Sequence, residues 1–96
     1  MSRTDRYRPR ELAPEPWPHE PASDPVAELA RQFALRLTET IGDRSIRSVA
    51  AEARVSHVTV LNILAGKVWP DLETIGRLEY GLNADLYPGR GQRRRR

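Results

Sequence analysis

At 96 residues without a single cysteine, the chain has room for one core, and packing alone must hold it: disulfides, thiolate metal ligands and a cysteine nucleophile are excluded. The opening MSRTDRYRPR carries charge but no apolar run, and nowhere do 18 apolar residues stand together, so neither a signal peptide nor a membrane span is expected and the setting read from the sequence is cytoplasmic. The net charge of +3 is unevenly spread: residues 1–22 balance four Arg against four acids, residues 23–88 hold seven basic against nine acidic side chains, and residues 89–96 add five Arg. Basicity therefore belongs to the tail, and the domain's own claim on an anionic partner is local: Arg44, Arg47, Arg54 and Lys67 face only Glu52 within residues 44–67.

Residues 1–22 carry prolines at 9, 14, 16, 18 and 21, a spacing that removes backbone donors and restricts the residue before each ring. The stretch is expected to be a disordered arm rich in Pro and Arg. Within it, Trp17 in EPWPHEP is either a docking element or an aromatic ring that packs back on the domain or stays without a partner.

Four helices follow in residues 23–88. In SDPVAELARQFALRLTETIG, Asp24 is the expected N-cap, Pro25 fits the first helical position and Glu28 suits the positive end of the dipole, while Val26, Leu29, Ala30, Phe33, Leu37 and Ile41 recur at steps of three and four up to Gly42. Ser45 caps IRSVAAEA, with Ile46, Val49, Ala50 and Ala53 on one face. Ser56 caps HVTVLNILA, with Val60, Ile63 and Leu64 inward and Gly66 as the stop. Asp71 after Pro70 starts the fourth, which is expected to bury Leu72, Ile75, Leu78 and Leu82, and a fifth turn around NADLY would bring Leu86 and Tyr87 onto the bundle. No alternating apolar pattern appears, so the expected fold is all-α, a compact bundle of four to five helices. The tail GRGQRRRR, residues 89–96, is expected to be disordered, acting either as an arm on DNA or as a source of non-specific attraction.

A short helix, a tight turn with an apolar residue and a second short capped helix make the pattern of a helix-turn-helix. The stretch SIRSVAAEARVSHVTVLNILAGKVWPDLETIGRLEYGLNADLYP resembles the helix-turn-helix domain of the phage lambda repressor and Cro type. The resemblance rests on Ala50, the Val55–Ser56 approach to the third helix, Val60, Ile63, Gly66, Pro70 and the LETI run at 72–75. It implies a lambda-repressor-like fold and sequence-specific binding of double-stranded DNA by a cytoplasmic transcriptional regulator, as a homodimer on a two-fold operator. It further implies that His57, Val58, Leu61 and Asn62 face the bases, and that Ser45, Arg47, Arg54, Ser56, Lys67 and Trp69 face the phosphates. The sequence departs from that pattern in three places: Ile46 replaces the usual glutamine at the start of the second helix, Arg54 replaces the usual glycine of the turn, and Val58 and Leu61 make a second apolar face on the third helix.

A second reading stays open beside it. Val58 and Leu61, with Ala65, add an apolar face to the third helix, and such a face meets thymine methyls, belongs to the core, or binds protein on the same scaffold. Leu82, Leu86 and Tyr87 are the candidate dimer surface. Enzyme activity and cofactors are not expected, because the Ser, Asp and Glu residues fall at helix caps, and His19 and His57 lack companion ligands at metal-binding spacing. RNA is a weaker candidate than duplex DNA, for want of paired aromatics to stack bases.

Overall fold

Each helix begins where a short polar side chain can satisfy the free N–H groups of a first turn, and the computed structural model, which describes residues 7–90, shows all four caps. Helix α1, Pro25–Ile41, starts on Asp24, whose carboxylate accepts from the Val26 and Ala27 N–H groups. Helix α2, Ile46–Ala53, starts on Ser45, whose hydroxyl accepts from the Ser48 N–H at 3.0 Å. Helix α3, His57–Leu64, starts on Ser56, and helix α4, Leu72–Leu82, on Asp71, which accepts from Thr74 at 2.8 Å and is held below the usual carboxylate range by that bond. A single turn of 3-10 helix, Pro9–Leu12, precedes them.

The C-terminal ends are closed by left-handed residues. Gly66 at φ 70° ends α3, with its N–H on the Ile63 carbonyl and the Lys67 N–H on that of Asn62. Asn83 at φ 52° ends α4 in the same manner, sending the Ala84 N–H to the Glu79 carbonyl at 3.0 Å.

Helices of eight to eleven residues do not persist in water alone, so mutual burial holds them. The core joins Phe33, Leu37 and Ile41 of α1, Val49, Ala50 and Ala53 of α2, Val60 and Ile63 of α3, Leu78 of α4, and Leu86. The described residues form a compact all-α four-helix bundle in which α2 packs on both α3 and α4, and α1 on α3 and on the 3-10 helix. The small residues of α2 matter at its crossing with α4: a Cβ added at Gly81 would stand 2.6 Å from the Ala53 Cα. None of the described helices is long and apolar enough to cross a membrane.

Four expectations are corrected. Residues 7–22 are not a loose arm: they lie against the bundle, with Pro9 fully buried and backbone and side-chain bonds to residues 64–69. Leu72 is 84% exposed, because it lies 120° around α4 from Leu78, on the side no other helix covers. Residues 84–88 form no fifth helical turn; the Glu79 carboxylate instead accepts from the Leu86 and Tyr87 N–H groups at 2.9 and 2.8 Å, holding an irregular segment that drives Leu86 and Pro88 into the core. Leu86 is thereby removed from any dimer surface, whereas Tyr87 stays half-exposed. The remainder of the arm, residues 1–6, and the tail residues 91–96 lie outside the described residues.

Candidate nucleic-acid interface

At 100° per residue, Val58 and Leu61 stand 200° around α3 from Val60 and Ile63 respectively, so burial of one pair turns the other outward. The structure buries Val60 and Ile63 and leaves Val58 50% and Leu61 47% exposed. A role for Val58 and Leu61 in the core is thereby excluded. His57 stands beside them at the helix start, partly exposed, and Ser56 is engaged locally, its hydroxyl accepting from the Val58 and Thr59 N–H groups at 3.0 and 3.4 Å. Asn62 sits at the edge of this face, partly covered, in a polar hollow shared with Thr59, Asp71 and Thr74.

The cations around α3 separate into bound and free. Arg44 is consumed internally: it pairs with Glu52 at 2.9 Å and donates to the Thr40 carbonyl at 3.0 Å, closing the end of α1. Arg47 on the first turn of α2, Arg54 in the turn and Lys67 after α3 are exposed, and among the described residues no carboxylate pairs with them. Ser45, exposed beside Arg47, is the α2 cap.

Arg54 answers the question its position raises. It takes φ 61°, ψ 42°, the left-handed geometry that glycine favours. The conformation costs about 1 kcal/mol for a residue with a Cβ. Two bonds offset it, Arg54 N–H to Ala51 at 3.2 Å and Val55 N–H to Ala50 at 3.0 Å, and the Arg77 guanidinium adds a third on the Arg54 carbonyl at 3.2 Å. The backbone, not the Arg54 guanidinium, holds the turn.

Trp69 departs from its expected place. Its indole N–H donates to the Tyr7 carbonyl at 2.8 Å, and its ring borders an apolar cleft with Leu29, Phe33 and Tyr87, so its donor is committed to the N-terminal segment. That segment supplies what sequence reasoning missed. Trp17 lies over Gly66, where an added Cβ would meet Trp17 Cε2 at 2.6 Å, and its indole N–H donates at 3.0 Å to the Leu64 carbonyl, one of the free acceptors at the end of α3. The Arg10 N–H donates to the Gly66 carbonyl at 3.0 Å. Lower down, Arg31 is buried on α1, grips both oxygens of Glu28 at 2.8 and 2.6 Å and donates at 3.0 Å to the Pro18 carbonyl, while Glu28 also accepts from the Ala22 N–H. The Arg31 bonds hold the Glu28 carboxyl down to about 2 against the opposing effect of burial, and the same pairing raises Arg31. The sequence signals were a charged residue on the apolar face of α1 three positions after Glu28, and a tryptophan set among prolines ahead of a domain whose α3 ends on glycine.

Among the described residues no three His, Asp or Glu side chains gather closely enough to hold a metal ion. No family model matches the chain, and comparison with curated proteins and with solved structures finds no match to it.

Proposed function

We propose that the protein is a transcriptional regulator that binds double-stranded DNA sequence-specifically, through a helix-turn-helix formed by α2, residues 54–56 and α3 in a lambda-repressor-like domain. The observation that carries this reading is the outward half of α3: two half-exposed aliphatic side chains, Val58 and Leu61, on a helix bordered by the uncompensated Arg47, Arg54 and Lys67. Such a face is too apolar to gain from water, and its aliphatic side chains suit thymine methyl groups in a major groove, while His57 and Asn62 offer hydrogen bonds to base edges. The free cations and the Ser45 and Ser56 hydroxyls then border phosphates, which fix register without reading sequence. One helix of eight residues reads few base pairs, so the protein acts as a homodimer on half-sites about one turn apart.

A protein-interaction module on the same scaffold is the second reading, and a specific feature favours it: Leu72 and Tyr80 of α4 are 84% and 90% exposed. Selection from a random duplex library separates the two, run with the full chain at about 0.15 M salt, where the tail's non-specific attraction is screened. Recovery of a two-fold motif supports DNA readout. Recovery of no motif favours the protein-interaction reading.

A further inference from the structure

The N-terminal segment meets the end of α3 through fixed hydrogen bonds. The Tyr7 carbonyl accepts from the Trp69 indole N–H and the Arg10 N–H donates to the Gly66 carbonyl, which sets Arg10 against the residue that precedes Lys67, with Arg8 two residues earlier on the same segment. Pro9 between them is fully buried and anchors the crossing. Both arginines are exposed and neither forms an ion pair among the described residues, whereas nearby Glu11 is turned back to accept from the Arg8 N–H at 2.7 Å. Trp17 fastens the same segment a second time, through Gly66 and the Leu64 carbonyl. Cations here are also favoured by the partial negative charge at the C-terminal end of α3.

We infer that residues 7–17 are a built part of the interface: Trp17 is a positioning residue that fixes the segment to the end of α3, and Arg8 and Arg10 extend the Lys67 site into a row of three cations that binds the phosphates of duplex DNA. The inference rests on the DNA-binding reading and adds to it a phosphate-binding row that the α2–α3 pair does not supply. Glu11 and Glu15, which border the same hollow as Arg10 and Trp17, work against this row and limit its strength. The tryptophan contributes no charge, so its effect on DNA is through the placement of the arginines alone.

The test is the salt dependence of binding to a mixed-sequence duplex of about 20 base pairs, measured by fluorescence anisotropy with the full chain. Removing one cation that neutralises a phosphate lowers the slope of log affinity against log salt by close to one. The double variant Arg8→Ala/Arg10→Ala is expected to lower it by about two, as both side chains are exposed and the backbone bonds remain. Trp17→Ala is expected to lower it by about the same amount with every charge retained, and Trp17→Phe, which keeps a ring on Gly66 but removes the N–H, by less. Circular dichroism establishes that each variant keeps its helices; if Trp17→Ala does not, the phenylalanine variant decides. An unchanged slope in the double arginine variant, with Lys67→Ala still lowering it by about one, overturns the inference and leaves the DNA-binding reading standing. A reduced slope in the arginine variant with no change in either tryptophan variant overturns the positioning role. If Arg47→Ala and Lys67→Ala are also without effect, the DNA-binding reading itself fails.

Discussion

Two glycines of α4 make opposite predictions from the same substitution. At Gly76 an added methyl meets nothing within 4 Å, and the position is an ordinary helical one, so Gly76→Ala gains the intrinsic preference of alanine, about 0.5 to 1 kcal/mol. At Gly81 the same methyl would stand 2.6 Å from the Ala53 Cα and 3.1 Å from the Glu52 carbonyl oxygen. Both are backbone atoms of α2 and cannot swing aside, so the two helices must part. Overpacking of that kind costs about 1 to 3 kcal/mol and outweighs the helical gain, leaving Gly81→Ala less stable by about 1 to 2 kcal/mol. For a domain of this size 1 kcal/mol moves the midpoint by roughly 4 to 8 °C. Thermal melts followed by circular dichroism should therefore place Gly76→Ala a few degrees above the parent and Gly81→Ala roughly 4 to 16 °C below it. A Gly81→Ala chain that melts at or above the parent refutes the close α2–α4 approach and the reason given for the small residues of α2.

Stability is expected to fall in acid through Glu28. Its carboxyl is lowered from 4.5 to about 2, so its contribution is complete above pH 4.5 and is lost as pH drops toward 2. The full shift corresponds to about 3 kcal/mol, which solvent screening at the edge of the pair brings to about 1 to 2 kcal/mol. Because Trp17 and Trp69 both touch the 7–22 segment or hold its partners, tryptophan fluorescence between pH 5 and 2, as limits set by that same shift, should report the loss, and Glu28→Gln should flatten the profile. Arg54→Gly separates backbone from charge: relief of the left-handed strain raises stability by up to about 1 kcal/mol, while the salt slope of DNA binding falls by close to one. A variant that gains stability with its slope unchanged would remove Arg54 from the phosphate-facing set.

The parts of this fold that are decided within a few residues were legible in the sequence. Asp24, Ser45, Ser56 and Asp71 cap the helices they were expected to cap, because a short polar side chain bonds an N–H two or three residues ahead whatever the rest of the chain does. Gly42 and Gly66 end their helices at positive φ for the same local reason. The apolar stripes of α2 and α3 were also readable, but the sequence left Val58 and Leu61 open between the core and the surface, and only the packing of α3 turns them outward. What escaped depends on distant partners. Proline content argued against any helix in residues 7–22, which the 3-10 turn Pro9–Leu12 corrects, and it says nothing against a fixed irregular chain, whose fixing groups lie 47 and 62 residues away, at Leu64 and Trp69. Nothing near Trp69 in the sequence claims its N–H, and phosphate is the partner the resemblance implies; the Tyr7 carbonyl takes it instead. Val26 and Leu72 fit their helical periods yet lie exposed, since periodicity gives a face and not the extent of the surface that covers it.

Whether α3 reads bases is tested most directly by Leu61→Ala, assayed for melting and for base preference in one preparation. With Leu61 already 47% exposed, truncation is expected to take about 1 kcal/mol from stability, well short of the roughly 2 to 5 kcal/mol of a buried leucine. Competition between the selected duplex and its single-base-pair variants should then show one position at which the parent discriminates by about 1 kcal/mol or more and Leu61→Ala does not. Discrimination retained at every position, in a chain that melts close to the parent, would contradict the account and leave the exposed face of α3 to a protein.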